Sequence, residues 1–246
     1  MRKIFYLLTP AIFLAMSPWP ALAQSPPVYI DWVSVPSPVN ATFNFGSKTG
    51  TVTVVNQTNW LGGLLGIASS TGLVNYPGTW YTPTPPPSLL WLDISARNMM
   101  LGTVGSAEVE IAFSSPVADP RIHFVNLDNA TVDFSSTMRT CGGGPVSVSR
   151  LSGNDEFETT GPLINSTPAT ADLQGCEDLM GGNPNGGCGT VQLTGVYSKI
   201  VFTVTDTDVT ASGDGFRMTL SKEENTKIFC DCFESGNTSA WSVTFP

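Results

Sequence analysis

Apolar and polar residues alternate along most of this chain with a period of two. Val28, Ile30 and Trp32 share one face, as do Val52 and Val54, then Leu90, Leu92 and Ile94, then Val109, Ile111 and Phe113. The pattern continues through Ile122 and Phe124, Val132 and Phe134, Val191 and Leu193, and Ile200, Phe202 and Val204, and then through Phe216, Met218 and Leu220, and Trp241, Val243 and Phe245. Successive side chains of a strand point to opposite faces, so this period reads as strand, and no segment carries the helical period instead. About ten strands, each with one dry and one wet face and no helices between them, predict an all-β fold: an antiparallel β-sandwich, jelly-roll-like. An outer-membrane barrel also alternates, but five cysteines and a terminal proline argue against it.

Register can be read in "RIHFVNLDNATVDF". A two-residue turn at Asp128-Asn129 would set Phe124 against Asp133, whereas a three-residue loop, 127–129, sets Phe124 against Val132 and Ile122 against Phe134. The second choice keeps charge out of the core. It also places His123, the only histidine, on the polar side of a hairpin opposite Asp133, as an exposed cross-strand pair. A Ser-His-Asp triad is the sharper alternative, but the chain has no G-x-S-x-G elbow.

The N-terminus changes the picture by adding a compartment. Arg2 and Lys3 precede an apolar run to Met16, and "SPWPALA" closes at Ala23 with the small residues of a cleavage site, so residues 1–23 read as a signal peptide. The run is broken by Pro10 and is short for a membrane span, and no second long apolar stretch follows. Residues 24–246 then form one secreted domain, with an N-terminal sub-part at 24–88 and an extended Pro-rich connector at 83–87. Nine basic residues remain against 20 acidic ones, which speaks against nucleic acid and anionic membranes and for cations or neutral ligands.

Cysteine usage agrees with export to an oxidising space, since Cys141, Cys176, Cys188, Cys230 and Cys232 all lie beyond the signal peptide. Cys176 and Cys188 flank "EDLMGGNPNGG", the easiest loop to close with a disulfide. Cys230 and Cys232 share a strand face, and Cys141 is the candidate partner for one of them. A zinc site would need a second ligand pair at the right spacing, and none is present.

Three groups of residues could carry chemistry or binding. Asp206, Asp208 and Asp214 follow a strand whose core face would otherwise bury two carboxylates, so the strand should end or bend near Thr205 and leave them on the rim. There they form either a solvated turn or a calcium site, calcium being the one cofactor in view. Asp155, Glu156 and Glu158 could supply a glycosidase pair, but strand parity with Phe157 inward leaves both glutamates facing water. Trp60, Tyr76, Trp80 and Tyr81 lie among turn residues, where aromatic rings either stack on sugars or cap the end of the fold.

"FSSPVADPRIHFVNLDNATVDF", "LSGNDEFETTG" and "GTVQLTGVYSKIVFTVTDTDVTASGDGFRMTLS", spanning roughly residues 108–221, resemble a β-sandwich module of bacterial secreted and cell-surface, adhesin-like proteins. The resemblance implies fold and compartment and brings no catalytic residues with it. N-x-S/T triplets at Asn40, Asn56, Asn129, Asn165 and Asn237 matter only in a glycosylating host. Together these readings give a secreted, non-enzymatic protein that binds glycan or cell-envelope material. The alternative is a secreted glycan-active hydrolase using a carboxylate pair.

Overall fold

The computed structural model describes residues 26–60, 63–69, 80–86, 88–96, 104–127, 130–166, 186–206 and 214–224. Among these there are strands but no helix: β1 (Val28–Ser37), β2 (Asn40–Phe45), β3 (Lys48–Thr58), β4 (Gly63–Ser69), β5 (Leu90–Ala96), β6 (Gly105–Ala118) and β7 (Arg121–Leu127). The chain continues through β8 (Ala130–Asp133), β9 (Ser147–Gly153), β10 (Phe157–Thr160), β11 (Leu163–Ser166), β12 (Gly187–Thr194), β13 (Val196–Asp206) and β14 (Asp214–Lys222). The fold is therefore all-β, with 14 strands where about ten were expected. β2, β4, β9, β10 and β11 are the additions, and the expected strand at Trp241, Val243 and Phe245 lies outside the described residues. β4 is interrupted by glycine, β9 has only Val148 and Leu151 as large apolar residues, and β10 and β11 are four residues each, too short for periodicity to register.

Every pairing is antiparallel, and the strands form one sheet in the order β10-β11-β8-β13-β6-β3-β2-β1-β14-β7-β12-β9, with β5 joined to β14 and β4 to β5. The first and last strands of that order, β10 and β9, are consecutive in sequence and are separated only by Asn154, Asp155 and Glu156. A linker that short makes the sheet curl until its ends meet, so it is nearly barrel-shaped. The N-terminal strands β1, β2 and β3 sit inside this order, between β14 and β6.

The inward face carries the main core. Ile30, Trp32, Val52, Val54, Leu92, Ile94, Val109, Ile111, Ile122, Phe124, Val132, Phe134, Phe202, Val204, Met218 and Leu220 are all buried there, as the alternation requires. Phe124 is central, with ring centroids of Phe202, Phe216 and Phe157 at 6.0, 6.1 and 6.3 Å. Phe157 fits because Gly153 and Gly189 are cross-strand partners beneath it. A Cβ on Gly189 would lie 2.2 Å from the Phe157 ring.

The β7–β8 hairpin does not form. Phe124 pairs with Gly189 on β12 and Met218 on β14, while Val132 pairs with Val204 on β13 and Ile164 on β11. The inward faces were read correctly, but the chain crosses from one side of the curled sheet to the other between these strands. Register arguments that assume neighbouring strands pair cannot detect that crossing.

Candidate functional site

The back of the β5-β14-β7-β12 region is covered as well. β7 is buried at four consecutive positions, Ile122 to Val125, and β12 at five, Gly187 to Val191. Trp80 to Pro86 passes over this surface, where Tyr81, Leu89, Trp91, Val125 and Cys188 form a second apolar cluster with Tyr29 and Trp80 packed against it. Hydrogen bonds from three residues help to hold the segment down. The Tyr29 hydroxyl donates to Pro83 O at 3.0 Å, the Tyr81 hydroxyl to Phe124 O at 3.3 Å, and the Thr82 N–H to Thr190 Oγ1 at 3.1 Å.

His123 lies beneath this cover, fully buried, which corrects the exposed position opposite Asp133. Polar alternation placed it on a wet face, but that face is dry because the 80–86 segment and Trp91 cover it. Nδ1 is 2.9 Å from Thr190 Oγ1 and Nε2 is 2.8 Å from Ser221 Oγ. The rings of Tyr29 and Tyr81 are 5.6 and 6.1 Å away. Burial, helped by the charge of Arg121, lowers the His123 pKa to about 3, so the ring is neutral. One nitrogen donates and the other accepts, and both are satisfied by hydroxyls. Register extends the polar row across four strands as Ser152, Thr190, His123 and Thr219. The Thr219 hydroxyl is buried without a hydrogen-bond partner. A neutral, covered imidazole between two hydroxyls has no route to substrate, so the row acts as a structural network rather than a nucleophile's relay.

A second buried polar group organises the start of β12. Asn154 Oδ1 accepts from the Cys188 N–H at 2.9 Å and its Nδ2 donates to Gly186 O at 2.8 Å. Ser166 donates to Leu127 O and accepts from the Gly187 N–H at 3.1 Å. Glu156, expected in water, is 2 % exposed and accepts from the Gly186 N–H at 2.5 Å. It lies in the turn before β10, where strand parity does not apply. Phe157 is inward and Glu158 is exposed, as expected, whereas Asp155, which parity put on the face of Phe157, is exposed as well.

Of the proposed rim aromatics, Trp60 belongs to the main core and Tyr81 to the second cluster, each 3 % exposed. Trp80 is half-buried against that cluster, and Tyr76 lies outside the described residues. Trp60 and Tyr81 cap apolar surface and offer no ring face to a sugar. Asp206 is likewise buried, at 3 %, because β13 ends on it, one residue past Thr205, and keeps it on the core face rather than the rim. Its cross-strand partners, Gly105 and Ala130, leave room for a carboxylate on the face shared with Phe202 and Val204. Asp208 and the side chain of Asp214 fall outside the described set, and among the described residues no three acidic, histidine or cysteine side chains gather to hold a metal.

Cys188 is disulfide-bonded, and its Sγ also accepts the Asn126 N–H at 3.3 Å. Cys176, Cys230 and Cys232 lie outside the described residues. Cys141, in the glycine-rich turn before β9, keeps its thiol instead of bridging to Cys230 or Cys232.

The outward face of β2, β3, β6 and β13 is a different surface. Asn40, Thr53 and Glu110 form one cross-strand row and Thr42 and Thr51 lie in the next. Thr53 Oγ1 donates to Asn40 Oδ1 at 3.2 Å, Ser34 and Thr42 hydroxyls are 2.9 Å apart, and Lys199 pairs with Glu110 at 2.9 Å. Thr49 and Thr51 are exposed. Beside the Lys199–Glu110 pair, the donors and acceptors of β2 and β3 are neutral, with Asn40, Thr42 and Thr53 half-buried around the exposed threonines. No known protein family, curated protein or solved structure matches this chain.

Proposed function

We propose that this chain is an exported, non-enzymatic binding protein of adhesin-like type, and that the outward hydroxyl face of β2 and β3 takes glycan or cell-envelope material. The observation that carries this reading is the placement of Asn40, Thr42, Thr51 and Thr53 on adjoining rows of rigid strands. Hydroxyl and amide side chains match the alternating donors and acceptors of a sugar without needing charge, and strands hold them with little entropy to lose on binding. Export rests on the leader-like N-terminus and on the disulfide at Cys188. The packing of Phe124 on β7 against Phe202 on β13 supports describing the curled sheet as a two-layer, jelly-roll-like sandwich.

The test is retention of the mature protein on insoluble cellulose, chitin and peptidoglycan, compared with Thr51→Arg, which puts a bulky charge on the face without touching the core. Retention on at least one polymer, lost in the variant at unchanged Tm, is the expected result. Failure to bind any of them contradicts the reading, and release of soluble reducing ends replaces it with the hydrolase.

A further inference from the structure

We propose that the Trp80–Pro86 segment is an acid-released strap, latched to the back of the sheet by the Thr82–Thr190–His123 hydrogen-bond relay. It is independent of the glycan face, which lies on other strands.

The strap lies outside the strand ladders. Among its attachments are the three hydrogen bonds from Tyr29, Tyr81 and Thr82, the Leu89 N–H to Pro86 O at 2.9 Å, and the small cluster around Tyr81 and Trp91, whose rings are 5.8 Å apart. None of them is a strand pairing. Opening would therefore expose the second cluster while leaving the main core and its ladders intact.

His123 couples this opening to pH. In the closed form the imidazole is fully buried between Thr190 and Ser221, with Tyr29 and Tyr81 over it. On its own strand is Arg121, which is bound to Glu223 at 2.5 Å and donates to Gln192 at 3.2 Å. On β14, Arg217 lies beside Asp93 of β5, with Nε 3.6 Å from the carboxylate. The groups that hydrogen-bond His123 are both neutral hydroxyls, so an imidazolium formed there is desolvated and repelled by Arg121. Opening the strap gives the ring water and returns it toward an ordinary pKa of about 6.5.

The sign follows from this. The open form binds a proton more tightly, so acid favours opening, and the closed form is fully favoured only above about pH 6.5. With the ring at about 3 when closed and about 6.5 when open, the opening equilibrium rises roughly 25-fold between pH 7 and pH 5.

Hydrogen exchange of the full mature protein, corrected for intrinsic rates, reads this at the Thr82 amide. Exchange in the 80–86 segment should rise about 25-fold from pH 7 to pH 5 while β3 and β6 keep their protection. In His123→Gln, whose carboxamide can serve both hydroxyls but does not titrate, that rise should vanish. Unchanged strap protection in the native chain, or an equal rise in His123→Gln, overturns the proposal. If His123→Gln does not fold, Thr190→Val cuts the relay and leaves the ring in place: faster strap exchange at pH 7 is expected, and native-like exchange overturns the latch.

Discussion

His123 Nε2 lies 2.8 Å from Ser221 Oγ on the adjacent strand, and both side chains are fully covered. This contact shows that the back of the sheet is a second interior. A residue type that usually signals acid-base chemistry is here a spacer between hydroxyls. His123→Ala would leave Thr190 and Ser221 with unfilled hydrogen bonds beside a cavity, and should cost about 3 kcal/mol. Denaturant unfolding of the variant checks this, and a loss below about 0.5 kcal/mol would return the ring to the surface.

The paired glycines under Phe157 make a sharper packing prediction. A methyl on Gly189 meets the Phe157 ring at 2.2 Å and the Ser152 carbonyl at 2.6 Å. Gly189→Ala should therefore lose about 2 kcal/mol or more through overpacking, and Phe157→Leu in the same chain should recover part of it. Strictly additive losses would show that the ring is not the obstacle.

Alkaline stability should be set by buried phenols. Tyr197 is buried and donates to Thr194 O at 2.8 Å, and burial pushes its pKa up to about 12; burial raises Tyr29 as well. A pKa raised in the folded state gives stability that is complete below the unfolded value of about 10 and is lost as pH rises through the folded one. Tm should thus fall between about pH 10 and pH 12, and Tyr197→Phe should flatten that fall.

Cys188 should be recovered as a disulfide by non-reducing peptide mapping, with Cys176 as the expected partner and Cys141 alkylated as a thiol. A peptide joining Cys141 to Cys230 or Cys232 would contradict this.

The inward face was legible because Val109, Ile111 and Phe113, or Phe202 and Val204, alternate cleanly with polar neighbours and burial on one side enforces that alternation. The back face was not, because His123, Thr190, Thr219 and Ser221 look like solvent-facing positions until a distant segment covers them. Two unbroken apolar runs could have warned of it: "LLWL" at 89–92, and Phe124 followed by Val125. Runs without alternation mark strands buried on both faces. Asp206 and Glu156 misled for related reasons. Small partners at the end of β13 accommodated one carboxylate, and a turn turned the other toward the Gly186 backbone.

The most direct measurement is an NMR titration of the imidazole, unambiguous because the chain has one histidine. A covered, neutral His123 predicts a ring still unprotonated at pH 6, with its midpoint depressed toward about 3. A midpoint near the ordinary value of about 6.5 would mean that the ring is in water, and would contradict both the second interior and the latch built on it.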